Sequence, residues 1–197
     1  MKVSVFAGDL ADAEADALCT STNPRLTLVM GTGAAVRARG GFAILRACEA
    51  IVARELEHPG RHGLPGGSAH VTTAGELPHR RIIHCVASDA AHRSSPELVA
   101  ACVRNALAAG EAEGCRSIAM PVFGTGHARV RFDVAVRTIA EALRASSFPG
   151  RVVVVTNDDE RAGEARAILE NALGTSVQIT RSAAMEPESL GGWATFG

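Results

Sequence analysis

Apolar and polar residues alternate from Val3 to Phe6, and Gly8-Asp9 breaks the run, so the pattern predicts a strand there. Ala17–Thr22 reads as a second, buried strand. After Met30-Gly31-Thr32-Gly33-Ala34-Ala35 a short helix is predicted to about Arg39, ended by Gly40-Gly41. From Phe42 to Glu57 the apolar positions Phe42, Leu45, Cys48, Val52 and Leu56 recur at helical spacing, and His58-Pro59-Gly60 stops that helix. Gly63-Leu64-Pro65-Gly66-Gly67 reads as a loop, Ala69–Thr73 as a strand and Arg81–Val86 as a more apolar strand. Pro96 suits the first position of a helix reaching about Glu113. Ser117–Val122 is predicted as a strand leading into Phe123-Gly124-Thr125-Gly126-His127-Ala128. A helix over Asp133–Arg144, a strand over Val152–Thr156, a helix over Glu160–Leu173 and a short strand over Val177–Ile179 complete the series.

Strands that alternate with helices predict an α/β fold, with helices on both faces of a mainly parallel sheet. The 197 residues fit one domain with a sizeable core, placed here at residues 1–180 with no linker and no second domain. Residues 181–197 are polar and irregular and read as a tail, with Trp193 and Phe196 as its docking residues. Ligands of such sheets sit beyond the carboxyl ends of the strands, where both Gly-Thr-Gly segments are expected.

Those two segments are the strongest functional signal in the chain. Glycine permits positive φ and close approach of the backbone to a ligand. A helix N-terminus offers free N–H groups and partial positive charge to an anion. Two such loops in one small domain point to a clamp that holds phosphates from both sides. The plainer alternative is a pair of strand-to-helix turns that use glycine for geometry alone. The first segment is no dinucleotide fingerprint, because Val36 stands where the third glycine belongs. No G-x-S-x-G elbow occurs either.

Composition removes several other classes. Hydrophobic residues make up 47% of the chain, which supports a packed core. A formal net charge of -1 argues against a generally basic nucleic-acid surface. Lys2 is the single lysine, so neither a P-loop lysine nor a Schiff-base lysine is available at a site. Cys19, Cys48, Cys85, Cys102 and Cys115 are odd in number, form no C-x-x-C pair and have apolar neighbours. They read as small buried hydrophobes of a reducing compartment. His79, His84 and Cys85 fit no standard zinc spacing, so no metal is expected. The first residues are interrupted too soon for a signal peptide, and no apolar run is long enough to span a bilayer. A cytoplasmic protein with no membrane partner is the expectation.

Five ordered motifs carry a family resemblance. They are Gly8-Asp9-Leu10; Asp16-Ala17-Leu18-Cys19-Thr20-Ser21-Thr22-Asn23 with the first glycine segment; and Gly63-Leu64-Pro65-Gly66-Gly67-Ser68-Ala69 with Val71-Thr72-Thr73-Ala74-Gly75-Glu76-Leu77. Ile82-Ile83-His84-Cys85-Val86 and Met120-Pro121-Val122-Phe123-Gly124-Thr125-Gly126 close the set. Over roughly residues 3 to 173 the chain resembles a macrodomain in motif order. The resemblance implies a three-layer α/β/α sandwich with a mixed, mainly parallel central sheet. It also implies ADP-ribose binding and, in many members, hydrolysis of ADP-ribosyl bonds.

Carried over by position, Asp9 would accept from the adenine amino group, and the Leu10 backbone would touch the same ring. A carboxylate suits an amine donor, although Asp9 also reads as a turn or N-cap residue. Asn23 matches the asparagine near the distal ribose, or forms a turn before Pro24. Gly31, Thr32, Gly33 and Ala34 on one side, and Phe123, Gly124, Thr125, Gly126 and His127 on the other, would cradle the diphosphate and distal ribose. Asn157 would flank the adenine, or cap a helix. Arg37, Arg39, Arg129 and Arg131 would give a local basic rim near both loops.

The chain departs from the family where catalysis is concerned. The usual Asn-Ala-Ala-Asn reads Thr20-Ser21-Thr22-Asn23, and no Asp or Glu occurs between Asn23 and Phe42. A second subgroup, which includes enzymes that remove ADP-ribose from DNA bases, uses a lysine and an aspartate beside the second loop. Here there is no such lysine, and Ala128 stands near the aspartate position. Three routes stay open. The substrate diphosphate orients water, with Asn23 holding the ribose or the water; His127 assists as a group titrating near neutrality; or the protein reads ADP-ribose without cleaving it. The lead expectation is an ADP-ribosyl hydrolase acting on protein or DNA, with Asn23 and His127 as catalytic residues, no cofactor and a monomeric state. The alternatives are a non-catalytic reader and a binder of a related nucleotide metabolite.

Overall fold

The β-branched runs become strands, and their alternate residues divide between two cores. The computed structural model describes residues 1–126 and 129–182, so the expectations on His127 and Ala128, and on the tail through Trp193 and Phe196, fall outside the described residues. Seven strands form one sheet: β1 (Lys2–Ala7), β2 (Ala17–Thr22), β3 (Ala69–Thr72), β4 (Arg81–Val86), β5 (Ser117–Pro121), β6 (Arg151–Thr156) and β7 (Gln178–Arg181). Their order is β3-β4-β2-β5-β6-β1-β7. Every pairing is parallel except that of β3 with β4.

On β6, Val152 and Val154 face one core while Val153 and Val155 face the other. The first core is closed by α3 (Pro96–Ala112), α4 (Phe132–Arg144) and α5 (Asp159–Leu173), through residues such as Cys102, Ile139 and Leu169. The second is closed by α1 (Gly31–Gly40) and α2 (Phe42–Leu56), through Val36, Ile44 and Cys48. This is the α/β/α sandwich with a mixed, mainly parallel sheet. Ser95 caps α3 by accepting from the Leu98 amide, and Pro96 follows at its first position. All five cysteines are buried and unpaired.

The structure corrects the reading of α2. Phe42 is 73% exposed and Leu56 36% exposed, while Ile44, Cys48 and Val52 form the buried stripe. The same apolar positions admit two rotations about the helix axis, and the end residues of α2 reach beyond the layer that covers them. A further difference is a short 3-10 helix at Leu10–Asp12 directly after β1.

Candidate functional site

In the six strands other than β3 the carboxyl ends point the same way, and the loops leaving them enclose an open cleft of about 870 Å³. That volume suits a drug-sized or nucleotide-sized ligand. One wall comes from β1 and β6: Asp9, Leu10 and Asp12 follow β1, and Asn157, Asp158 and Arg161 follow β6. The opposite wall comes from β2 and β4, with Thr22 and Asn23 after one and Ser88 and His92 after the other. Between them lie the two Gly-Thr-Gly segments.

The first segment is the opening turn of α1. Met30 is the N-cap, and its side chain makes no cap bond. The Thr32 hydroxyl accepts from the Ser21 amide at 3.2 Å, which fixes this helix end to β2. The amides of Thr32 and Gly33 find no acceptor among the described residues, as a first helical turn requires. Gly31 and Thr32 line the cleft, but Gly33 and Ala34 do not. Gly33 is buried, and a Cβ there would lie 3.2 Å from the Leu28 side chain.

The second segment is a closed loop after β5. The Thr125 hydroxyl donates to the Val122 carbonyl at 2.9 Å. The Val130 amide donates to the Gly124 carbonyl at 3.0 Å, and the Arg129 amide to the Gly126 carbonyl at 3.1 Å. Gly124 has φ +78°, and a Cβ there would meet the Ser94 hydroxyl at 2.8 Å. Gly124, Thr125 and Gly126 line the cleft, and their amides find no acceptor among the described residues. Phe123 is fully buried in the core and is not a cleft residue.

The other expected residues are partly committed to local structure. Asp9 Oδ1 accepts from the Ala11 amide at 2.9 Å as the cap of the 3-10 helix, while Oδ2 makes no bond among the described residues. Asn23 Oδ1 accepts from the Arg25 and Thr27 amides, and its side-chain nitrogen donates to the Thr27 hydroxyl at 2.6 Å. One N–H of that amide is left for other partners. Asn157 is exposed on the cleft wall, and the cap of α5 is its neighbour Asp158, which accepts from the Arg161 amide at 2.8 Å.

Several cleft residues carried no signal in the sequence pattern. Phe132 opens α4 and lies under the Arg161 guanidinium, 4.7 Å from ring centre to Cζ. Such a pair gives a flat, polarisable surface. Asp12 accepts from Arg39 at 2.6 Å and from the Ser182 hydroxyl at 3.2 Å. His92 enters from a loop organised by Asp89, whose Oδ1 accepts from the Ala91 and Arg93 amides at 2.9 and 2.8 Å. The bond from the Arg93 amide is the main cause that holds the Asp89 carboxyl below its ordinary pKa. None of the four arginines of the expected rim lines the cleft, and Arg39 and Arg131 are paired to Asp12 and Asp133.

Beneath the β2 and β4 wall lies a buried polar cluster. His84 Nε2 is 2.9 Å from the Thr72 hydroxyl, and Nδ1 is 2.9 Å from the Thr20 hydroxyl. Thr72 donates its own proton to the Thr73 carbonyl. With that proton on the Thr73 carbonyl, Thr72 accepts from Nε2–H and Nδ1 accepts from Thr20, and Cys48 Sγ lies 3.5 Å from Nε2. Burial lowers the imidazole pKa to about 3. His84 and Cys85 point to opposite faces of β4, and His79 is held by the Ala15 carbonyl at 2.9 Å.

Fold and cleft together define an α/β/α module with an open cleft at the strand ends, lined by two amide-rich turns. The Macro domain family profile matches residues 19–139. A Streptomyces coelicolor macro domain-containing protein is 34% identical, over 84% of this chain and 96% of its own length. An O-acetyl-ADP-ribose deacetylase of Klebsiella pneumoniae is 30% identical, over 84% of this chain and 94% of its own. The Oceanobacillus iheyensis macrodomain, solved as a mutant with ADPR, superposes with a TM-score of 0.77 at 24% identity, covering 87% of this chain and 93% of that one. The chain belongs to the Macro domain family.

Proposed function

We propose that the cleft binds ADP-ribose and that the protein hydrolyses ADP-ribosyl linkages on a macromolecule. The observation that carries the reading is the pair of facing turns with free amides, at the centre of a cleft with a carboxylate wall on one side. Amides at a helix start and in a glycine loop hold a diphosphate without a lysine. Asp9 Oδ2 and Asn157 then face the adenine end, where the Leu10 backbone and the Phe132–Arg161 surface offer the base a flat contact. Asn23 offers its remaining N–H to the distal ribose.

Relatives support the ligand: the Oceanobacillus structure was solved with ADPR, and the Klebsiella relative is an O-acetyl-ADP-ribose deacetylase. That second relative favours a second reading, hydrolysis of an ester on the same distal ribose. A release assay decides among them, run on ADP-ribosylated protein, ADP-ribosylated DNA and O-acetyl-ADP-ribose. Release from a macromolecule supports the first reading, and deacetylation alone supports the second. Binding without any release makes the protein a reader.

A further inference from the structure

We infer that His92 is a proton-transferring residue of this cleft, a role that rests on the hydrolytic reading above. Among the described residues that line the cleft, the groups able to take a proton from water are Asp9, Asp12, Asp158 and His92. Three of them stand on the β1 and β6 wall, where Asp9 and Asp158 each cap a helix through one oxygen and Asp12 is paired with Arg39. His92 follows β4. In the sheet order, β4 stands three strands from β6 and four from β1, which is roughly 14 and 19 Å at ordinary strand spacing. The ligand is long, with its base at the carboxylate wall and its diphosphate at the central turns. Its distal ribose then falls at the wall that holds Asn23 and His92, out of reach of the carboxylates.

The loop is built to present this side chain. His92 has φ +59°, a conformation few non-glycine residues adopt. The Asp89 carboxylate accepts from two loop amides and from the Arg93 guanidinium at 3.2 Å. The His92 amide donates to the Asp89 carbonyl at 3.0 Å, and the Asp89 amide to the Arg93 carbonyl at 2.8 Å. The turn closed by Asp89 thereby holds His92 at the cleft wall. In the step, the water oxygen bonds to the carbon under attack. The bond from that carbon to the leaving oxygen or nitrogen breaks with its electron pair. The imidazole takes the proton from water and passes it to the leaving atom, so it ends as it began.

His92→Asn tests this, because asparagine also tolerates positive φ and keeps the loop while removing the ring. Turnover should fall about 100-fold, as for loss of a general base, with ADP-ribose affinity kept within about threefold. In His92→Gly, added imidazole should restore part of the lost turnover, which a structural role would not allow. Unchanged turnover in His92→Asn, or a parallel loss of affinity, overturns the inference while leaving the proposed function standing. A wild-type protein that binds ADP-ribose yet releases nothing from any substrate overturns both the hydrolytic reading and this one.

Discussion

The two Gly-Thr-Gly segments share three residues and are built in opposite senses. In the first, the leading glycine is open: Gly31 has φ +56° and no atom within 4 Å of where its Cβ would be, while Gly33 packs against Leu28. In the second, the leading glycine is the packed one. Gly124 lies against Ser94, Val130 and Val99, and Gly126 has open space around it. The threonines differ too, since Thr32 accepts a backbone N–H and Thr125 donates to a carbonyl. One segment is a helix start and the other a closed loop, so the open glycine comes first in one tripeptide and last in the other. Gly31 and Gly126 are therefore the two open glycines of the cleft, and Gly33 and Gly124 are the packed ones.

The largest expected effect concerns the foundation under the first segment. His84 links β4 to β2 and β3 as a neutral imidazole, with its pKa lowered to about 3 by burial. An unfolded histidine titrates near 6.5, so the unfolded chain takes up the proton first. This contribution to stability is complete above pH 6.5 and is lost as pH falls toward 3, on the order of 5 kcal/mol in all. Denaturant midpoints from pH 7 to pH 4 should show a steep loss that is flattened in His84→Gln. An equal slope in the variant would mean that the cluster does not govern acid stability.

Gly124→Ala comes next. Its Cβ would meet Ser94, Val130 and Val99 at 2.8, 3.1 and 3.2 Å at a positive φ, so stability should fall by about 1–3 kcal/mol. Ligand affinity should fall with it as the second loop shifts. A thermal melt and a binding isotherm measure both. A variant that matches wild type in the two would place the frame elsewhere.

How much of this was legible before the structure differs by residue type. Ala17–Thr22 and Arg81–Val86 are strands with the bounds the pattern gives, because short runs rich in β-branched and small buried residues suit a central strand. Gly-Thr-Gly marks the turns but not their orientation, which depends on Leu28 and Ser94, residues brought up by the fold. Reading by adjacency therefore included Gly33, Ala34 and Phe123, which turn away from the cleft. His92, Phe132, Arg161 and Asp12 stayed hidden because they arrive from separate loops and helix ends, where no periodicity marks them. The family resemblance supplied Asp9 and Asn157, which composition alone does not single out.

The smallest effect is expected at Gly33→Ala. Its helix geometry is ordinary, and the gain in helix propensity, about 1 kcal/mol, offsets the 3.2 Å contact with Leu28. The melting temperature should move by a few degrees at most, and the affinity for ADP-ribose should hold. A large loss of affinity here would show that Gly33, and not Gly31, faces the ligand.

The central claim is that ADP-ribose lies between the two turns. Calorimetric titration of ADP-ribose into the wild type and into Gly126→Val tests it most directly. No atom of the described residues, chain neighbours aside, lies within 4 Å of a Cβ at this position, so the described fold should be unaffected by valine. The account predicts binding by the wild type and affinity at least about tenfold weaker in the variant, roughly 1.4 kcal/mol. No heat of binding with the wild type at millimolar ADP-ribose, or equal affinity in the two proteins, would contradict it.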